Sequence, residues 1–165
     1  KKQLPQALLM LVPRHPDRFE KVAELCRSNN YSLVLRSDKK NCDQTTDIFI
    51  GNSMGEMLLF YAVADVAFVG GSLIQNGGHN MLEPALFAKP IISGDSMFNF
   101  AKVSALLVDA EAMKVVKTSD ELAEAVKLFF SDKTKATGYG QRALKVVEDN
   151  RGALDAHLRL VEKLL

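Results

Sequence analysis

Short unbroken apolar runs alternate along this chain with segments whose apolar residues recur every three or four positions, and this change of period limits the fold more than any other feature. The runs are ALLMLV (7–12), YSLVLRS (31–37), DIFIG (47–51), DVAFVGG (65–71), PIISG (90–94) and AMKVV (112–116). The first, ended by Pro13, predicts a strand buried on both faces. After it, Phe19, Val22, Ala23 and Cys26 describe one helical stripe that ends near Asn29 and Asn30. Residues 55–64, GEMLLFYAVA, predict a helix so apolar that it is mostly buried. A short helix to about Ala88, a helix in FAKVSALLVDA and one opened by Ser119, Asp120 and Glu121 follow. Two more are expected from about Lys135 to Leu165, broken near Gly152, the last carrying Leu154, Leu158, Val161 and Leu165 on one face.

Strands alternating with helices in short units predict an α/β fold, a Rossmann-like and mostly parallel sheet with helices on both faces. At 165 residues and 47% hydrophobic content, one domain over residues 1–165 is the expectation; a domain of that size buries roughly 70% of its unfolded surface. With 21 basic and 20 acidic side chains the net charge is +1, scattered, which argues against nucleic acid or anionic lipid as a partner. Cys26 and Cys42 lack metal-ligand spacing and read as ordinary thiols. No apolar run approaches the roughly 20 residues of a membrane span, so this piece reads as soluble. The chain begins at Lys1, directly before an apolar run, and reads as part of a longer protein.

In parallel sheets of this kind ligands bind outside the carboxyl ends of the strands. Three strand ends qualify: residues 13–15, residues 51–56 (GNSMGE) and residues 70–84, GGSLIQNGGHNMLEP. In the last, Gly70 and Gly71 stop a strand while Gly77 and Gly78 precede a helix, and glycine lets backbone N–H groups face a ligand with no Cβ in the way. A capping box, with Asn80 as N-cap and Glu83 three residues on, explains the polar residues without a ligand. The four glycines are also compatible with tight packing alone. At SMGE, Glu56 reads either as a ligand contact or as a partner of the helix dipole, with Ser53 as N-cap. Arg14 is an apt donor to phosphate or a base edge, and His15 an exposed loop histidine. His79 either donates to a phosphate or fixes its loop. Walker A, GxGxxG, HExxH and GxSxG patterns are absent.

Taken together, AFVGGSLIQNGGHNMLEPALFAKPIISG with MFNF, LVPRHPDRFEKVAEL and SMGEMLLFYAVADVAFVGGS resemble the C-terminal half of bacterial Kdo transferases, which move 3-deoxy-D-manno-octulosonic acid (Kdo) from CMP-Kdo onto lipid A precursors. The resemblance spans roughly residues 7–100. It implies the second, donor-binding domain of a GT-B glycosyltransferase, an inverting enzyme of lipopolysaccharide synthesis at the cytoplasmic face of the inner membrane. By similarity the CMP-contacting positions are Pro13, Arg14, Met54, Gly55, Glu56, Asn80, Leu82 and Glu83, with Gly71, Gly77, Gly78 and His79 shaping the loop beside them. Glu83 is expected on the ribose hydroxyls, the GGHN loop on the phosphate, and Arg14 with the 54–56 turn at the cytosine. The base that deprotonates the acceptor is a Glu of the family's N-terminal domain, absent here, so no catalytic residue is assigned. The lipid A precursor would bind through that domain, and the last helices would pack toward it. No cofactor is implied, and the lack of a DxD or His-rich cluster argues against a metal. Alternatives are a UDP-sugar transferase or epimerase of the same architecture and a non-catalytic nucleotide-binding domain.

Overall fold

The computed structural model describes residues 4–150, so the predicted face of Leu154, Leu158, Val161 and Leu165 lies outside the described residues. Two compact units divide the chain, Lys1–Val63 and Ala64–Leu165. In the first, strands β1 (Leu9–Leu11), β2 (Leu33–Leu35) and β3 (Ile48–Ile50) form a parallel ladder in the order β1-β3-β2, in register at Leu11, Ile50 and Leu35. Helix α1 (Phe19–Ser28) lays Ala23 and Cys26 onto Ile48 and Ile50, the stripe predicted from the three-and-four spacing. Its end is set by Asn30 in the left-handed region at φ 60°, where Tyr31 donates back to the Cys26 carbonyl.

Two expectations for this unit fail for the same reason, the limited area of a three-stranded ladder. Strand β1 is at the edge and Leu9 is 54% exposed, not buried on both faces. Helix α2 (Met57–Val63) buries only Phe60, whose ring meets Phe49 edge-on at 5.9 Å, while Leu58, Leu59 and Val63 remain exposed. A two-turn helix apolar on all sides has more apolar surface than one sheet contact covers. The run at 31–37 is also shorter than expected, because Arg36–Asp38 turn into a 3-10 segment.

In the second unit β4 (Ala67–Val69), β5 (Ile91–Ser93) and β6 (Met113–Val115) form a parallel ladder in chain order, with helices α3 (Leu82–Leu86), α4 (Ala101–Asp109), α5 (Ser119–Ser131) and α6 (Lys133–Asn150) around it. The central strand β5 is buried throughout, and successive side chains serve opposite faces. Ile91 joins Met81, Ala85, Leu107 and Ala143, whereas Ile92 joins Val116, Ala125, Phe129 and Ala136. The α/β organisation with parallel sheets is therefore as expected. Helix α5 begins at Ser119 as expected and is capped by Thr118: its hydroxyl accepts from the Glu121 N–H, and the Glu121 carboxylate accepts from the Lys117 N–H at 2.7 Å.

Helix α6 carries two glycines in opposite settings. A Cβ on Gly140 would lie 1.8 Å from the Ala88 carbonyl oxygen, so only glycine permits α6 to press against the backbone that ends α3. A Cβ on Gly138 would meet only the Arg142 guanidinium, at 3.2 Å, which can move. Replacing a mid-helix glycine by alanine normally stabilises by about 1 kcal/mol. Gly138→Ala is expected to follow that rule. Gly140→Ala is expected to reverse it and destabilise by about 1–3 kcal/mol or more, the cost of overpacking. Urea unfolding of the two variants beside the parent checks both signs.

Candidate functional site

In the first unit the parallel register brings the carboxyl ends of β1, β2 and β3 to one edge, so residues 12–15, 36–38 and 51–56 emerge together. The Gly51 N–H donates to the Leu11 carbonyl at 3.0 Å, and a Cβ there would meet the Phe60 ring at 2.7 Å. The loops after β2 and β3 are tied by side chains. Asn52 accepts from the Ser37 N–H at 3.0 Å and donates its amide to the Ser37 hydroxyl at 2.9 Å. Arg36 donates to Glu56 Oε1 at 2.8 Å, and the Ser53 hydroxyl donates to Glu56 Oε2.

These contacts hold the Glu56 carboxyl below the usual glutamate range, the Ser53 hydroxyl first and the Arg36 guanidinium second. Ser53 is thus not the N-cap: the Phe60 N–H reaches the Glu56 carbonyl, and Ser53 serves the carboxylate. Between them Met54 is 66% exposed, and Gly55, at φ +80°, has no atom within 4 Å of where a Cβ would be. The turn presents open backbone on a fixed base. Pro13 is half-buried, Arg14 and His15 are exposed, and Pro16 opens a 3-10 turn ahead of α1. Arg36 is the functional candidate that sequence reasoning passed over. Its signal was the one used for Arg14, an arginine at the end of an apolar run.

In the second unit β4 runs into residues 70–80 and its neighbour β5 into residues 94–100, again at one edge. Gly71, Gly77 and Gly78 all adopt positive φ, at 73°, 77° and 67°. The Gly78 N–H donates to the Gly71 carbonyl at 3.1 Å, which closes the loop on itself, and His79 Nε2 lies 3.7 Å from the Gly71 Cβ position. Gly77 and Gly78 are buried: Cβ atoms there would sit 2.3 Å from Asn99 Nδ2 and 2.2 Å from Met97 Sδ. Close packing and backbone conformation both demand glycine here.

Asn80 and Glu83 do pair, in a different way from a capping box. Asn80 Oδ1 accepts from the Leu82 N–H at 3.1 Å, and its amide donates to Glu83 Oε1 at 3.2 Å. The half-buried Glu83 carboxylate is thereby aimed by a side chain, with acceptor capacity to spare. Leu82 begins α3, whose first N–H is already satisfied by Asn80. The predicted residues therefore gather in two groups: Pro13, Arg14, Met54, Gly55 and Glu56 at one sheet edge, and Gly71, Gly77, Gly78, His79, Asn80, Leu82 and Glu83 at the other. Among the described residues no three His, Cys, Asp or Glu side chains gather as a metal site would require, and no helix is long and apolar enough to cross a membrane. Cys26 is buried and Cys42 partly so, and burial, then Asp43, pushes the Cys42 thiol up.

No family model matches the chain. It is 40% identical over 162 residues to a 3-deoxy-D-manno-octulosonic acid transferase of Haemophilus influenzae, covering 98% of this chain and 38% of that protein. The chain thus spans less than half the length of the curated relatives it matches. Among solved structures it superposes on the C-terminal CMP-Kdo binding domain of WaaA from Acinetobacter baumannii with a TM-score of 0.84 and 31% identity, over 88% of this chain and 76% of that one. A sucrose-phosphate synthase from Thermosynechococcus elongatus, 16% identical with a TM-score of 0.61 over 96% of this chain and 38% of its own, shares the fold alone. By its identity to the domain whose length it mostly covers, the chain belongs to the family of 3-deoxy-D-manno-octulosonic acid transferases, in which it corresponds to the C-terminal domain.

Proposed function

We propose that this chain is the donor-holding part of a Kdo transferase, binding CMP-Kdo, and that the whole enzyme passes Kdo to a lipid A precursor at the cytoplasmic face of the bacterial inner membrane. The observation that carries the reading is the Asn80–Glu83 pair, which aims a half-buried carboxylate at the carboxyl edge of a parallel sheet in a chain of this family. A carboxylate accepts from two vicinal hydroxyls at once, as a ribose presents them. Glu83 is assigned to the ribose, Arg14 and the 54–56 turn to the cytosine.

The GGHN loop, with His79 in it, is assigned to the phosphate. When the sugar leaves, negative charge grows on the phosphate of CMP, and a donor aimed there stabilises the transition state more than the ground state. Inversion at the anomeric carbon also needs a base on the acceptor hydroxyl. That base, and the site for the lipid, are assigned to the part of the relatives' length that this chain does not span.

Amide shifts on titrating the chain with CMP are expected to saturate at residues 14, 55, 56 and 77–83, with UMP and UDP weaker; a stronger response to UDP overturns the assignment of the base. Glu83→Gln keeps shape and removes charge. It is expected to weaken CMP by about 10- to 100-fold, the worth of a hydrogen bond to a charged group, as read by calorimetry.

The pH dependence follows from Glu56. Its carboxyl is lowered in the folded chain, so the tie to Ser53 and Arg36 is fully present above the ordinary glutamate range and is lost only as pH falls through the lower folded value. A carbon-detected titration of the Glu56 carboxyl is expected to place its midpoint below the ordinary glutamate range, and Arg36→Gln is expected to raise it.

A further inference from the structure

Residues 70–80 are not shaped by their own bonds alone. Besides the Gly78 to Gly71 closure, the loop is held by residues that follow the neighbouring strand β5. The Gly94 N–H donates to the Ser72 hydroxyl at 2.7 Å, and the Ser96 N–H to the Ser72 carbonyl at 3.0 Å. Asn99 acts twice: its side-chain amide donates to the Asn76 carbonyl at 3.2 Å and its backbone N–H to the Gly77 carbonyl at 3.4 Å.

Those two carbonyls belong to consecutive peptide planes, the ones that carry the Gly77 and Gly78 N–H groups. In a trans peptide C=O and N–H point in opposite directions, so drawing both carbonyls toward Asn99 turns both N–H groups away from it. The Gly78 N–H then falls on the Gly71 carbonyl. Glycine at positive φ has no steric reason to keep that orientation by itself. The Phe98 ring, 62% exposed, covers the same glycine: its Cε2 is 2.6 Å from the Gly77 Cβ position. Asn99 itself is exposed and contributes little to the core.

We propose that Asn99 is the positioning residue of the donor site: it sets the peptide planes of Gly77 and Gly78, and through them the placement of His79 and Asn80 against the nucleotide. This rests on the reading of residues 71–83 as the donor site. Asn99 need not touch the donor. The residue type matters because an aspartate of the same shape would have no N–H for the Asn76 carbonyl and would bring a negative charge beside it.

The experiment compares Asn99→Ala and Asn99→Asp with the parent chain by CMP affinity, by amide hydrogen exchange at Gly78, and by Tm. Both variants lose the side-chain bond to the Asn76 carbonyl and keep the backbone bond to the Gly77 carbonyl. With the Gly77 plane released and the loop closure at Gly78 loosened beside it, they are expected to bind CMP about tenfold more weakly and to exchange Gly78 about tenfold faster, the worth of one net hydrogen bond, with Tm within about 3 °C of the parent. Gly78 exchange and CMP affinity both within about twofold of the parent, less than half a hydrogen bond's worth, overturn the proposal. So does faster exchange with unchanged affinity, or an affinity loss matched by a large fall in Tm, which marks a merely structural contact. If the parent chain itself binds no CMP, the reading of the donor site fails, whereas the Gly78 exchange still decides whether Asn99 holds the loop.

Discussion

The Ser72 hydroxyl is the contact on which the second sheet edge depends. Fully buried, it donates to the Val69 carbonyl at 2.5 Å and accepts from the Gly94 N–H at 2.7 Å, so one oxygen links the last residue of β4 to the first residue beyond β5. The approach is close enough that a Cβ on Gly94 would lie 2.1 Å from the Ser72 carbonyl oxygen. An apolar side chain at 72 would leave a buried N–H and a buried carbonyl unpaired, each at a cost of about 1–3 kcal/mol. The loops after β4 and β5 therefore form one object. The glycines of the first, Met97 through Asn99 of the second, and the Asn80–Glu83 pair downstream are arranged from that shared oxygen outward.

The first unit reaches the same end by different means. There the links between strand ends are made by longer side chains, Asn52 to Ser37 and Arg36 to Glu56, at a more exposed edge. Ion pairs at such exposure are worth little to global stability. Their effect is directional: they fix where the 53–56 turn stands without filling the space above it. A buried hydroxyl bridge confers rigidity through packing, and a surface network confers orientation.

Most of the fold was legible because period and turn chemistry agreed. The six strands among the described residues lie inside the apolar runs, and α1 ends where Asn29 and Asn30 stop the pattern, whereas α3 ends at Leu86, two residues short of the expected Ala88. What the pattern could not convey was how much neighbouring surface each run meets. Leu9 and the outer residues of α2 read as core and are exposed, because apolarity says what a residue prefers and not whether a partner is at hand. At the site, glycine placement and the Asn80–Glu83 spacing were readable, whereas the identity of the loop's partners was not. Nothing in the spacing of Gly77 and Asn99 marks them as neighbours. Their contact follows from β4 and β5 lying side by side, a property of the ladder.

Gly55 and Gly94 look alike in a sequence and are held for unlike reasons. At Gly94 the limit is volume, since a Cβ would lie against the Ser72 carbonyl. At Gly55 nothing lies within 4 Å of the missing Cβ, and the limit is the φ of +80° alone. That is a limit of handedness: a D-alanine at position 55, whose favoured φ is positive, would be accommodated where an L-alanine is strained. Chemical synthesis with a mirror-image residue at position 55 would thus isolate the limit of handedness from that of volume.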